Sequence, residues 1–332
     1  EEMRMLVFLL FLVFLPRGAL GWVLPPPQWS VRNYKDAPRS TRMGGDTEAT
    51  LRANDPLLWS ASLLIRDQQA RVALVSIYRW CRRADDVADS GGARIDALEG
   101  LGAISRDLDS ALAGRPKNEI DAGLLEAFRA YPELGKEPFR EMLTGMRTDL
   151  ESDALRFNTW DPDLLRYCER VAGGVGLMLL PLLGAGKEAA APALDLGVAI
   201  QLTNILRDVG KDVDLGRVYL PMDELEACGC LIEDILERRL TPAYQRVIQL
   251  QISRARDLYA SARFGAATTL PPAARTPVFV IIELLSAIVD ELELRDCDNF
   301  SQKVQPSALS AFRALFRGWR AAASNTTSRF CE

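Results

Sequence analysis

The sequence QLTNILRDVGKD at residues 201–212 combines an apolar and a polar pattern within a single helix. Its leucines, isoleucine and valine recur at three- and four-residue spacing, which is typical of an amphipathic α-helix. Gln201, Asn204, Asp208 and Asp212 fall on the opposite side, because residues three or four apart share a helix face. The stretch therefore predicts a helix that packs on a core and carries a stripe of amides and acids.

A second stretch, IYRWCRRADDVAD at residues 77–89, repeats this design with Tyr78, Arg82, Asp85 and Asp89. In each stretch two aspartates stand four residues apart, about 6 Å along one helix face. Two such carboxylates repel each other, and a hard divalent cation would make their proximity favourable. One pair alone is more often a solvated surface. Two pairs inside apolar helices, beside Arg, Gln and Asn, predict a metal site with guanidinium groups for phosphate oxygens.

The composition restricts the chemistry further. The chain has 332 residues, a formal net charge of −5 and no histidine. Serine and cysteine hydrolase mechanisms that use a histidine base are excluded, and so are histidine-ligated zinc, iron and haem sites. A metal would have to sit among carboxylates, which points to Mg²⁺ or Mn²⁺. A mildly acidic chain is also a poor candidate for binding nucleic acid.

The six cysteines are scattered and form no C-x-x-C motif. A chain of this length does not need disulfide bonds to stabilise its core. The sequence therefore predicts reduced and mostly buried thiols.

From about residue 54 onward the apolar periodicity is helical and strand-like alternation is nearly absent. Asp55, Asp161 and Thr241 each precede a proline, a combination typical of a capped helix start. The predicted fold is a single all-α domain around one interior, with the apolar stretch 278–289 as a buried central helix. The predicted helices are 56–89, with a break near Asp67, 93–113, 119–131, 136–156, 162–183, 188–212, 241–268, 275–296 and 307–322.

The N-terminal region has the composition of a targeting sequence rather than of part of the fold. Arg4 precedes the apolar run 5–15, which is too short to span a bilayer and has the length of a signal-peptide core. Residues 22–43 carry four basic residues and one acid and contain Ser and Thr, as transit peptides do. A signal-like run followed by such a stretch resembles the bipartite presequences of algae with complex plastids. We predict a signal peptide at 1–21 and a transit-like disordered segment at 22–50, together directing the chain to a plastid. The alternative is a plain secretory signal followed by a disordered linker.

The motifs together resemble the squalene/phytoene synthase family of head-to-head prenyltransferases. The resemblance rests on residues 201–212, continued by GRVYLP at 216–221, and on residues 77–89. It also includes YCERVAGGVGLM at 167–178, preceded by GMRTDL at 145–150, and Asp290-Glu291 followed by Asp298-Asn299-Phe300. The likeness covers residues 56–318, within a predicted catalytic domain of 51–322 that is followed by a tail at 323–332.

The resemblance implies the class I isoprenoid synthase fold, an all-α helical bundle around a central cavity. It assigns the metal, Mg²⁺ or Mn²⁺, to Asp85, Asp89, Asp208 and Asp212. Catalytic roles fall on Tyr78, Arg82, Tyr167 and Arg207, and substrate binding on Tyr78, Arg82, Tyr167, Gly176, Gln201 and Asn204. The glycines at 173, 174 and 176 have tight helix packing as their alternative role.

The implied reaction condenses two geranylgeranyl diphosphates to phytoene, through a cyclopropyl intermediate and without NADPH. The implied partners are geranylgeranyl diphosphate, the surface of a plastid membrane and other carotenoid enzymes, with no nucleic acid. The alternatives are another squalene- or dehydrosqualene-type synthase and a non-catalytic family member that acts as an organelle assembly factor. No apolar run follows Phe312, which disfavours a membrane-anchored squalene synthase.

Two departures from the family pattern concern the handling of substrate. A Ser/Thr-rich segment expected before the first motif is replaced by DPLLWSAS at 55–62, in which the hydroxyls are displaced. A tyrosine expected five residues before Asp290 is Leu285. Neither departure involves the metal-binding aspartates.

Overall fold

The structure, a computed structural model, describes residues 67–90, 93–151 and 155–327, with side chains up to residue 323. The predicted presequence and the predicted helix start at Asp55 lie outside these residues. Within them the chain is all-α, as predicted. The only β pairing in the described ranges is an isolated bridge between Arg156 and Val218.

The first half of the described chain contains four helices, and a run of short helical turns follows them. The four helices are α1 Gln68–Ala88, α2 Arg94–Leu112, α3 Glu119–Ala130 and α4 Glu137–Glu151. The run consists of a π turn Trp160–Leu164, α5 Leu165–Cys168, a π turn Glu169–Gly173, α6 Gly174–Leu179 and a 3-10 turn Pro181–Leu183.

The second half contains the longest helices. These are α7 Ala190–Asp214, α8 Met222–Ala227, α9 Ile232–Leu236, α10 Pro242–Thr269, α11 Pro272–Leu294 and α12 Ala308–Thr327. The short helices α8 and α9 were not predicted, because five or six residues are too few to establish a helical period. Helix α12 continues five residues beyond its predicted end, into the predicted tail.

The predicted break near Asp67 and the predicted helix start at Thr241 are both confirmed by capping bonds. Asp67 accepts hydrogen bonds from the amides of Gln69 and Ala70, so α1 begins directly after it, at the predicted break. Thr241 accepts from the amide of Tyr244 at the start of α10. At the start that was predicted at Asp161, a different aspartate forms the bond: Asp163 accepts from the amide of Thr159.

The predicted single helix 162–183 is wrong as a regular α-helix. The segment is helical throughout most of its length, but it alternates between π, α and 3-10 turns. Pro181, which has no amide hydrogen to donate, begins the final 3-10 turn, and Gly184 ends it in the left-handed region at φ 66°.

Each half of the described chain has its own apolar cluster. In the first half, Trp80 of α1 meets Phe139 of α4 edge-on, with 5.0 Å between ring centroids. In the second, α7, α10 and α11 enclose buried side chains such as Tyr244 and Ile282. The prediction that 278–289 is a buried central stretch of helix is confirmed by α11. Residues 187–214 are long and apolar enough to cross a membrane, but over half of their apolar stretch is buried, as befits a core helix.

Helix α7 crosses the run of short turns at a pair of glycines. A Cβ placed on Gly197 would lie 2.5 Å from the Cα of Gly173. A Cβ on Gly176 would lie 2.8 Å from the carbonyl oxygen of Ala193. Both distances are below contact, so the two segments approach this closely only because these side chains are hydrogen atoms.

The cysteines in the described ranges are free, and four of these five are buried: Cys81, Cys168, Cys230 and Cys297. Burial raises the pKa of each of these four thiols, which keeps them protonated and unreactive. The prediction of reduced, mostly buried thiols is confirmed for these residues.

Candidate active site

Helix α1 separates two consecutive arginines onto different faces. Arg82 pairs with Asp86 at 3.1 Å, on the face that carries the aspartates. Arg83 points to the other side, where it donates to the fully buried Asp121 at 2.9 Å and also to Asp107. Burial raises the pKa of Asp121 although the Arg83 charge opposes that shift. Arg83 therefore joins α1 to α2 and α3, and Arg82 remains with the candidate site.

Helix α7 carries the second aspartate pair beside a buried arginine. The side chain of Arg207 is only 2% exposed, and its Nε lies 3.1 Å from both carboxylate oxygens of Asp208. Asn204 is buried one turn earlier, while Gln201 is partly exposed. The Arg207 guanidinium therefore partly balances the charge of Asp208.

Asp149, near the end of α4, receives two tyrosine hydroxyls. Tyr167 of α5 donates to its Oδ2 at 2.9 Å, and Tyr219 donates to its Oδ1 at 3.0 Å. The two tyrosine rings lie 5.5 Å apart, and Phe157 packs against both. A carboxylate held by two buried hydroxyls and an aromatic cluster has a fixed position and orientation.

The electrostatics around Asp149 link the two aspartate helices. Burial raises the pKa of Asp149, the nearby Arg217 opposes the shift, and the charge of Asp89, the residue directly after α1, adds to it. The charge of Asp149 in turn raises the pKa of Asp212 on α7. Asp149 therefore lies close enough to Asp89 and to Asp212 to interact electrostatically with both. One member of each predicted aspartate pair therefore interacts electrostatically with Asp149.

Asp212 has a raised pKa, which indicates excess negative charge around it. Burial and the neighbouring Asp208 raise its pKa to about 7, although Arg217 and Lys211 work against the shift. A carboxyl with such a pKa lacks an adequate positive partner. Among the residues that the structure describes, no three acids or thiols form a closed metal-binding cluster. Carboxylate oxygens are the ligands that hard divalent cations prefer, so the predicted metal aspartates have suitable chemistry for Mg²⁺ or Mn²⁺, and their role as ligands stays a prediction.

The C-terminal motif, residues 298–300, forms hydrogen bonds that hold α7 in place. Asn299 is buried, donates to the carbonyl of Leu206 at 2.7 Å and accepts from the hydroxyl of Tyr244 at 2.5 Å. Asp298 holds the turn by accepting from the amides of Phe300 and Ser301. Leu206 immediately precedes Arg207 and Asp208. The motif therefore fixes the part of α7 that carries the second aspartate pair.

Reasoning from the sequence missed Asp149, Arg217 and Tyr219 as members of this site. All three lie within the stretches GMRTDL and GRVYLP, which carried the family resemblance without any assigned role. An acid in one such stretch, with a base and a hydroxyl in the other, was the signal that could have identified them.

The remaining predicted residues differ in what surrounds them. Tyr78 is partly buried on α1, on the same side as Arg82. Gly176 packs against α7, which is the helix-packing alternative; a role in substrate binding stays a prediction. A cavity of about 440 Å³ between α2 and α4 is lined by Leu98, Glu99, Gly102, Arg106 and Arg147, and none of these is a predicted site residue.

The sequence is similar to a known family and to known proteins. The squalene/phytoene synthase family profile matches residues 56–310. Phytoene synthase 1, chloroplastic, of Zea mays is 39% identical over 247 residues, which cover 72% of this chain and 59% of that protein. Phytoene synthase of Arthrospira platensis is 38% identical over 247 residues, covering 70% of this chain and 78% of that protein.

The fold is likewise similar to solved structures. The crystal structure of a dehydrosqualene synthase in complex with ligand superimposes with a TM-score of 0.71 and 27% identity, over 85% of this chain and 96% of that one. The architecture is the helical isoprenoid synthase fold. The chain belongs to the squalene/phytoene synthase family. It spans 59% of the length of its maize relative and 60% of that of the relative phytoene synthase 1 of Arabidopsis thaliana.

Proposed function

We propose that the protein is a phytoene synthase, which condenses two geranylgeranyl diphosphates head-to-head. The observation that carries the proposal is the carboxylate of Asp149, which two tyrosine hydroxyls hold and whose charge interacts with Asp89 of the first pair and Asp212 of the second. The identity of 38–39% to relatives named phytoene synthase supports this substrate over a shorter prenyl chain. A transferase with this site needs a place for diphosphate and an apolar environment for the prenyl chains.

The four paired aspartates, Asp85, Asp89, Asp208 and Asp212, would hold Mg²⁺ or Mn²⁺. The bound metal supplies positive charge against the diphosphate leaving group. The raised pKa of Asp212 supports this assignment, because a group in that state gains most from an added cation. Arg82 lies on the same helix face as the first pair and would donate to diphosphate oxygens. Asn204 and Gln201 supply amide donors one and two turns before Asp208, respectively.

Arg207 has a positioning role in this proposal. Its side chain is buried and occupied by Asp208, so it orients that carboxylate rather than reaching for substrate. Tyr78 of α1 and Tyr167 of α5 would contact substrate near the two aspartate pairs. Tyr167 is itself fixed by its hydrogen bond to Asp149, which limits the positions that its ring can adopt.

The proposed reaction has two half-reactions, each of which releases one diphosphate and one proton. In the first, the allylic C–O bond of one substrate breaks, and the double bond of the second attacks the cation to form a cyclopropyl diphosphate. In the second, this diphosphate leaves, the carbon skeleton rearranges and a proton is lost to give phytoene. Aromatic rings such as those of Phe157, Tyr167 and Tyr219 exclude water and stabilise nearby cations through their π faces. Neither half-reaction consumes a reductant, so we expect no need for NADPH.

We further propose that the protein works in a plastid, on a membrane surface and beside other carotenoid enzymes. The chloroplastic names of plant relatives and the transit-like composition of residues 22–50 support the location. Fusing residues 1–50 to a fluorescent reporter in an alga with complex plastids tests the address. Plastid fluorescence is expected, and secretion or a mitochondrial signal would contradict the location while leaving the enzymatic proposal intact.

Product analysis tests the activity itself. The full chain is incubated with Mg²⁺ and labelled geranylgeranyl diphosphate, with and without NADPH, and the extracted lipid is separated by chromatography. We expect labelled phytoene in equal amounts under both conditions, and less product from labelled farnesyl diphosphate. A product that changes with NADPH would favour a squalene-type enzyme. A preference for farnesyl diphosphate would favour a dehydrosqualene-type enzyme, and the absence of any product would favour an assembly factor.

A further inference from the structure

The C-terminal helix α12 has two apolar faces, and only one of them is buried. Its inner face packs on α11 through Ala314 and Gly318, and a Cβ on Gly318 would lie 2.5 Å from the Cα of Val280. Arg317 donates to Glu283 of α11 at 2.7 Å, and Glu283 also pairs with Arg263 of α10. These contacts fix the rotation of α12 about its own axis.

The outer face of α12 carries a stripe of large apolar side chains. Leu309, Phe312, Phe316 and Trp319 recur at spacings of three, four and three residues and are 57%, 63%, 49% and 48% exposed. The rings of Phe316 and Trp319 lie 6.0 Å apart, so they form one continuous patch. Single exposed apolar residues are common on protein surfaces, but four in register along one helix mark an interaction surface.

The charge of α12 differs from that of the rest of the chain. Residues 308–327 contain three arginines and no Asp or Glu, whereas the chain as a whole has a net charge of −5. Arg313 and Arg320 are exposed beside the apolar stripe, on the side that Arg317 also borders. A helix with this arrangement combines an apolar face for acyl chains with guanidinium groups at the level of lipid headgroups.

We propose that α12 is a membrane-docking helix, which lies in the plane of a bilayer surface that contains anionic lipids. The apolar stripe enters the boundary between headgroups and acyl chains, and Arg313 and Arg320 contact lipid phosphates. The stripe suits a second copy of the chain less well. A symmetric contact would bring two acid-free arginine-bearing helices together, with like charges facing each other.

The choice of a bilayer as the occupant rests in part on the proposed function. A forty-carbon hydrocarbon product leaves a water-soluble protein only into lipid, so docking beside a membrane gives it an exit. The surface itself is independent of turnover, since it is defined by exposure and charge alone. Binding can therefore be measured without substrate, and the two proposals can fail separately.

Vesicle flotation of the full chain is the direct test. The wild type is mixed with vesicles of phosphatidylcholine and phosphatidylglycerol in equal parts, or of phosphatidylcholine alone. We expect binding to the anionic vesicles and a reduction of about tenfold or more in the Phe312→Ser/Trp319→Ser variant. Arg313→Gln/Arg320→Gln should weaken binding only to the anionic vesicles. The matched control Ile95→Ser/Leu231→Ser removes two other exposed apolar residues and should bind as the wild type does.

Fluorescence gives a second measurement that does not depend on large substitutions. Brominated lipids should quench part of the wild-type tryptophan emission, and Trp319→Phe should remove that quenched part. Equal flotation of the Phe312→Ser/Trp319→Ser variant and the wild type, or quenching unchanged in Trp319→Phe, would overturn the proposal. A wild-type dimer in light scattering that becomes monomeric in the double variant, with no vesicle binding by either, would assign the stripe to a second copy. Phytoene formation in detergent without vesicle binding would refute only the docking proposal. Vesicle binding without phytoene formation would refute only the proposed function.

Discussion

Tyr167 donates a hydrogen bond of 2.9 Å to Asp149, a residue eighteen positions earlier on a different helix. Tyr219 donates to the other oxygen of the same carboxylate from seventy positions later. The charge of Asp89, which directly follows α1, acts on Asp149, and the charge of Asp149 acts on Asp212 of α7. Asp149 therefore links the charges at the ends of two helices that lie more than a hundred residues apart in the sequence.

Asp149→Asn tests whether this carboxylate positions the site. The asparagine has one carbonyl oxygen, so only one tyrosine hydroxyl keeps its acceptor, and the charge between the helices is lost. We expect a loss of about 1–2 kcal/mol in unfolding free energy. Turnover should fall roughly a hundredfold through misplacement of reacting groups. Urea unfolding and steady-state assays give the two values.

The control for that variant is Asp214→Asn, at the end of α7, where an exposed aspartate pairs with Arg238. Surface ion pairs contribute little, so stability and turnover should stay near wild type. Wild-type kinetics in Asp149→Asn would show that Asp149 only fills space between the helices.

Gly197→Ala tests the close crossing of α7 and the run of short turns. The added Cβ would lie 2.5 Å from Gly173, so the two segments must separate. We expect a destabilisation of about 1–3 kcal/mol, measured as a lower urea midpoint.

Gly210→Ala on the same helix is its matched control. The nearest atom to that Cβ, the carbonyl oxygen of Asn299, is 3.5 Å away, an ordinary contact, and alanine favours helix. Its stability should equal or exceed that of the wild type. Equal midpoints for Gly197→Ala and Gly210→Ala would contradict the packing described for the crossing.

Asp298 gives the fold a pH dependence with a defined sign. Burial opposes ionisation, but the hydrogen bonds from Ser301 and Phe300 outweigh it, and the pKa of Asp298 is lowered. A lowered pKa contributes stability above the unfolded pKa, and this is lost as the pH falls through the folded pKa. Asp298→Ala should cost about 1–2 kcal/mol at neutral pH.

This difference should shrink as the pH falls below the ordinary aspartate range, because the wild-type carboxyl then becomes protonated. Urea titrations over a pH series measure it, and Asp257→Ala on the exposed side of α10 serves as the control. A difference that stays constant across the series would mean that the ionised carboxylate does not hold the turn.

Much of this architecture follows from local patterns. The periodicity around Asp208 and Asp85 predicts two helices that each present a polar stripe, and α7 and α1 confirm them. The capping pattern predicts Thr241 as a helix start because that interaction spans only three residues. The buried α11 follows from its continuous apolar sequence.

The rest depends on tertiary contacts that no local pattern encodes. Arg82 and Arg83 are identical in type and adjacent, and only the position of Asp121 on α3 decides which of them becomes structural. Asp149 gains its place from two tyrosines in distant segments. The turns between 160 and 183 depart from a regular helix where close packing against α7 constrains the backbone, a constraint that periodicity does not contain.

The most direct test of the central claim is the turnover of labelled geranylgeranyl diphosphate by Asp85→Asn and Asp208→Asn, one variant from each aspartate pair. Asp109→Asn and Asp214→Asn, which are exposed aspartates in each half, are the matched controls. We predict that both site variants lose phytoene formation while their helical circular dichroism is unchanged, and that both controls keep it. Wild-type turnover in either Asp85→Asn or Asp208→Asn would contradict a single site built from the two facing helices.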